Sequence, residues 1–284
     1  MTPDIRMFKS KPTIEGAGVQ LKRAFGYQEV PLLDPFLLLD DFGSSDPRDY
    51  ILGFPWHPHR GIETVTYVLT GSVKHEDSLG NKGTIASGDV QWMTAGSGII
   101  HQEMPQQFEG RMRGFQLWVN LPAAHKMMDP RYRDVRKEQI PEIQYDDGIS
   151  MKIISGKVAD TIGPVKDLMV DVVYLDVSIS SGMKMRYNVA KDHKAFIYVI
   201  VGGGYTTGAT DRRIGQENLV IFSKANAIDL EAGSEGMRFL LVAGKPLNEP
   251  VAWYGPIVMN SQQELDLAFK EYREGTFIKH GSRK

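Results

Sequence analysis

The chain is 284 residues long, enough for one large domain or two of ordinary size, each with a real core. A hydrophobic content of 42%, a charged content of 24% and a formal net charge of −2 are those of an ordinary globular protein, with no electrostatic reason to expect nucleic acid or an anionic membrane as partner. Cysteine is absent, which excludes disulfides and thiolate metal sites and makes the reducing cytoplasm the expected location.

The N-terminus lacks the basic-then-apolar layout of a signal peptide. No apolar run approaches the length of about 20 residues that a membrane span needs. Short strands separated by glycine-bearing turns then dominate. Residues 63–69 (ETVTYVL) and 115–119 (FQLWV) are rich in β-branched and aromatic side chains. Gly71-Ser72 and Leu79-Gly80-Asn81 break the pattern as turns, and Gly88-Asp89 opens a strand at 90–93. Residues 122–141, charged and bounded by prolines, are expected to link two β domains, one spanning 1–136 and the other 137–284.

The second half repeats the style in residues 170–179, 195–201, 219–222 and 238–242. Gly202-Gly203-Gly204 mimics the start of a dinucleotide loop, but no helix follows, so a tight hairpin is expected. Near the C-terminus Ser261 and Glu264 form a capping box. Leu265, Ala268, Phe269 and Tyr272 make an apolar stripe that Gly275 can close. This helix is expected to lid a barrel. Many short strands and one helix give an all-β fold with two barrels.

Chemistry concentrates in four residues. His57 and His59 are two apart, as are His101 and Glu103, so each pair projects from one face of its strand. Facing each other across a small barrel, the pairs would offer three imidazoles and a carboxylate to one metal ion. Only seven histidines occur in the chain, and three fall here. The glycine-dense turn Ala95-Gly96-Ser97-Gly98 lets His101 swing inward. His75 beside a hairpin turn reads as a polar neighbour, and His125, His193 and His280 as surface residues. Trp56, Trp92, Met93 and Trp118 are candidates to wall a pocket for an aromatic substrate. Laying Gly202 on Gly71 puts Asn188, Ala190 and Lys194 at the places of His57, His59 and Glu63, so the second barrel is expected to bind no metal.

Residues 57–71 (HPHRGIETVTYVLTG) and 88–103 (GDVQWMTAGSGIIHQE) resemble the two cupin motifs. With residues 31–42 (PLLDPFLLLDDF) and the stretch 249–260, the chain is similar to the pirin family in particular. The resemblance implies a bicupin with its metal in the N-terminal barrel. It assigns the fourth ligand to Glu103, whereas many cupins use the residue at the place of Glu63. Both are present and both remain candidates, with Glu103 favoured and Glu63 expected to orient a ligand histidine.

Such a ligand set accepts Fe(II), Mn(II), Ni(II), Cu(II) or Zn(II), and iron is expected first because a redox-capable ion with open positions suits dioxygen. The resemblance implies a quercetin 2,3-dioxygenase that takes a flavonol and O2, with Glu103 as base. It equally implies a rival reading, a non-enzymatic metal- and redox-sensing partner of transcription factors or metabolic enzymes. Neither reading requires direct contact with nucleic acid or a membrane.

Overall fold

The computed structural model describes residues 4–146, 148–207, 212–223 and 226–280. Strands dominate it, and the one long helix among the described residues is Gln262–Arg273. Among the described residues, no helix is long and apolar enough to cross a membrane.

Contacts sort the chain into two units, both discontinuous in sequence. One comprises Met1–Lys11, Gln28–Pro35 and Glu138–Pro246, and the other Pro12–Tyr27, Phe36–Lys137 and Leu247–Lys284. This departs from a simple division at 136/137 at both ends. The strand Asp4–Lys9 pairs along Asn218–Ser223, where it covers what would be an open sheet edge. The C-terminal segment, in turn, belongs with the histidine-bearing unit.

That unit is built from two sheets. The larger one runs in the order Arg131–Val135, Val90–Thr94, Ile62–Thr70, Arg113–Asn120, Phe36–Phe42, Val19–Phe25 and Lys11–Glu15. The smaller runs Phe54–His59, Ile99–Pro105, Ser72–Asp77 and Lys82–Ala86. Leu21, Phe42 and Val68 from the first meet Val73 and Ile85 from the second in a shared core. Alternation does the sorting: along Ile99–Pro105 the buried residues are Ile99, His101, Glu103 and Pro105, every second position. The expected linker at 122–141 is instead partly sheet, since Arg131–Val135 extends the larger sheet beside Val90–Thr94.

The other unit holds one extensive antiparallel sheet around a core that includes Ile153, Leu175, Val199, Val220, Phe239 and Leu241. Its triglycine is not a tight hairpin. It lies within the 13-residue strand Lys194–Thr206, where the register against Ala227–Gly244 shifts between 202 and 204. A Cβ at Gly204 would stand 2.0 Å from the Glu231 carbonyl oxygen, so close crossing of backbones explains the glycine.

Helix Gln262–Arg273 begins as expected, with both bonds of the Ser261–Glu264 capping box in place. Leu265 and Ala268 pack with Ile257, Met259 and Phe277, so the helix covers the histidine-bearing unit. Two buried cations fasten this segment. Arg60 donates to Ser97 O, the Glu271 carboxylate and Phe277 O, and its guanidinium lies 4.2 Å from the Phe277 ring centre. Lys126, 1% exposed, donates to Gly61 O, Asn120 Oδ1 and Val258 O at 2.6–3.0 Å. Burial pushes its pKa down to about 7 against the pull of Glu249 and Glu264. Lys126→Met would take the ammonium donor from three buried acceptors, of which Gly61 O keeps only its bond from Leu121 N. It is expected to cost about 2–4 kcal/mol, read as a lower urea midpoint at unchanged slope. An unchanged midpoint would mean that water takes over these bonds.

Candidate metal centre

The two histidine strands do not face each other across the barrel. Phe54–His59 and Ile99–Pro105 are neighbours in the smaller sheet, with His57 directly opposite His101. His59 is the last residue of its strand, and the chain leaves it through Gly61, at φ +78. A Cβ on Gly61 would stand 2.0 Å from Val258 O, so only glycine allows the C-terminal segment this close to His59.

The three imidazoles converge through their Nε2 atoms. His57 Nε2 stands 2.9 Å from His101 Nε2 and 3.1 Å from His59 Nε2. His57 Nδ1 donates to Pro55 O at 2.9 Å, and His59 Nδ1 donates to Pro256 O at 3.0 Å. A carbonyl only accepts, so in each neutral ring the proton sits on Nδ1 and the Nε2 lone pair faces inward. Burial lowers the pKa of all three histidines, His59 and His101 well below the usual histidine value, and keeps them neutral. The facing Nε2 lone pairs of His57 and His59, 3.1 Å apart, repel, and a cation among the rings turns that repulsion into coordination. Two nitrogen ligands at right angles, each about 2.1 Å from an ion, would be about 3.0 Å apart, which the observed spacings match. The three histidines could therefore hold a metal ion, and theirs is the one cluster of this kind among the described residues.

Glu103 stands outside that cluster of mutually close ligand atoms. Its carboxylate accepts from Thr66 Oγ1 at 2.7 Å and from Gln116 Nε2 at 3.0 Å, which fixes its plane beside the histidines. Glu63 goes elsewhere: it accepts from Trp92 Nε1 at 3.0 Å and Thr94 Oγ1 at 2.6 Å, and it bonds none of the histidines. The expectation that it orients a ligand histidine is therefore replaced. The backbone carbonyls of Pro55 and Pro256 do that work.

A cavity of about 630 Å³ opens beside His57, His59 and Glu103. Of the aromatics singled out from sequence, Trp118 lines it, with its ring 5.1 Å from that of His59. Trp92 and Met93 are core, and Trp56 is 49% exposed and does not line the cavity. Tyr27, on a turn, and Trp253 and Tyr254, on a strand near the C-terminus, line it too and escaped the sequence reading because they lie outside the histidine motifs. His75 is buried with its ring 5.3 Å from that of His101 and bonds Asp77. His193 is buried against Asp171, not on the surface, and His280 pairs with Asp129. In the other unit, Asn188 lies opposite Ala227 in a strand pairing like that of His57 and His101.

Sequence profiles match the chain twice, Pirin over residues 18–119 and the Pirin C-terminal cupin domain over 174–278. A pirin-like protein of Caulobacter vibrioides is 42% identical over 97% of this chain and 99% of its own length. The crystal structure of a quercetin 2,3-dioxygenase from Acinetobacter baumannii superposes with a TM-score of 0.90 at 33% identity, covering 98% and 99% of the two chains. A bacterial pirin from Escherichia coli, solved with nickel(II), shares the fold at a TM-score of 0.67 and 21% identity, over 86% of this chain and all of its own. The fold is thus a bicupin, with one barrel bearing a three-histidine cluster beside an aromatic-walled cavity. The chain belongs to the pirin family.

Proposed function

We propose that this protein is a metal-dependent dioxygenase of the quercetin 2,3-dioxygenase type, with His57, His59, His101 and Glu103 holding one divalent ion, Fe(II) first among the candidates. The observation that carries the reading is the convergence of three imidazole Nε2 atoms, with His57 and His59 at the wall of an aromatic-lined cavity. The likeness to a quercetin 2,3-dioxygenase over nearly the whole chain supports it. The bound ion would supply Lewis acidity and a route for electrons from the flavonol to dioxygen.

The protein's own groups have distinct tasks. Pro55 O and Pro256 O hold the tautomers of His57 and His59. Glu103 would take the flavonol 3-hydroxyl proton on a carboxylate oxygen, and Thr66 and Gln116 hold that carboxylate in plane for the transfer. Trp118 and Trp253 offer flat apolar walls that would orient the fused rings and exclude water. In the overall reaction the flavonol takes up one dioxygen, its heterocycle opens, and carbon monoxide leaves.

The test loads the purified apoprotein with Fe(II), Cu(II), Mn(II) or Ni(II) in turn and follows dioxygen uptake and carbon monoxide release with quercetin. Turnover that depends on metal supports the proposal. If no loaded form turns over any flavonol, the interaction-protein reading replaces it.

A further inference from the structure

One row of side chains crosses the larger sheet of the histidine-bearing unit. Arg23 lies opposite Asp40, Asp40 opposite Gln116, and Gln116 opposite Thr66. All four line the cavity. Thr66 and Gln116 bond Glu103, so the row starts at the histidines and leads away from them. Neighbouring strands are about 4.8 Å apart, which puts Asp40 about 5 Å and Arg23 about 10 Å beyond Gln116.

At the far end Arg23 grips Asp40 through Nε at 2.9 Å and Nη2 at 2.8 Å, and its Nη1 meets Glu15 Oε1 at 2.9 Å. Asp40 is 5% exposed, and burial pushes its carboxyl up to about 6 against the pull of Arg23, so the pair is ionic at neutral pH. The contacts of Arg23 use three of its five N–H donors, and each Asp40 oxygen keeps a second lone pair. Spare donors and spare acceptors therefore stand side by side at the cavity wall. A hydroxyl, which both donates and accepts, complements such a wall. An anionic group would meet Glu15 and Asp40 against a single arginine.

The same grip occurs away from the cavity, where Arg238 holds Asp176 through two bonds at 2.6 and 2.9 Å. A bidentate cross-strand pair can thus be purely structural. What sets Arg23–Asp40 apart is its place at the cavity wall, facing aromatic surfaces.

We propose that Arg23 and Asp40 are specificity-determining residues that read a phenolic hydroxyl at the end of the ligand remote from the histidines. The ligand class is then a flat, uncharged polyphenol with hydroxyls at both ends, and sulfated or carboxylated relatives are rejected. The inference rests on the flavonol reading above and deepens it.

The experiment measures binding, not turnover. Protein loaded with redox-inert Zn(II) is titrated with quercetin and with galangin, the flavonol that lacks the catechol hydroxyls, under quenching of tryptophan fluorescence. Leaving a buried polar pair unmatched costs affinity, so galangin is expected to bind about ten- to a hundredfold more weakly. In Asp40→Asn the difference should shrink to within about threefold, and in Asp176→Asn, which alters the pair outside the cavity, it should persist in full. Equal affinity of the two ligands for the wild type overturns the inference while leaving the flavonol site intact, whether or not any variant folds. Failure of both to bind removes the flavonol reading and this inference with it.

Discussion

Replacing His59 and His101 together by alanine is expected to abolish stoichiometric metal while the fold persists. Both rings are buried and both place Nε2 in the converging trio, so the double variant leaves His57 as the sole imidazole. Partners one step removed from a metal already affect affinity by about 10–100-fold each. Two direct ligands should cost more than the product of two such losses, about 10⁴-fold or beyond. The fold has separate support, because the core of Leu21, Phe42, Val68, Val73 and Ile85 includes none of the histidines. Elemental analysis after dialysis gives the stoichiometry. Thermal melts give a second readout, since an ion that binds only the folded state at a thousandfold excess over its Kd adds about 4 kcal/mol. The wild type should melt higher with metal, and the variant should not respond. One equivalent bound with unchanged affinity would refute the assignment of these histidines.

What sequence reveals here is local and periodic. The i, i+2 spacing of His57 with His59, and of His101 with Glu103, depends only on the alternation of a strand, so the four candidates were legible at once. Their mutual arrangement was not. Strand order decides whether two such pairs face each other or lie side by side, and pairing 44 residues apart in sequence cannot be read from alternation. The same limit hid Pro256, whose contribution is a carbonyl oxygen that any residue carries, 197 positions from His59.

Polar residues inside apolar strands gave a weaker signal that is clear in retrospect. Asp40 interrupts FLLLDDF and Gln116 interrupts FQLWV. A charge or amide there needs a buried partner, and the structure supplies Arg23 to the first and Glu103 to the second. The C-terminal helix shows the converse. Its capping box and the burial of Leu265 and Ala268 were readable, while Tyr272 of the expected stripe is exposed, and which barrel the helix covers depends on Arg60 and Lys126 reaching across from the N-terminal half.

Glu103→Gln is expected to lower flavonol turnover by about 10²–10⁴-fold, the usual range for loss of a general base, with metal content close to that of the wild type. The amide keeps an oxygen able to coordinate but cannot take the 3-hydroxyl proton. Its surroundings accommodate it. Gln116 Nε2 donates to one side of the carboxylate, so the new amide oxygen belongs there and its NH2 turns to Thr66 Oγ1, which can accept. The group thus stays in plane, and loss of the base is separated from loss of the fold. Glu63→Gln is the contrasting variant. Its carboxylate is engaged by Trp92 and Thr94, so any effect should fall on stability and leave turnover per bound metal unchanged. Metal-replete Glu103→Gln protein that works at the wild-type rate would remove Glu103 as the base. A comparable loss at Glu63→Gln with full metal would transfer that role to Glu63, and would require its carboxylate to leave Trp92 during the reaction.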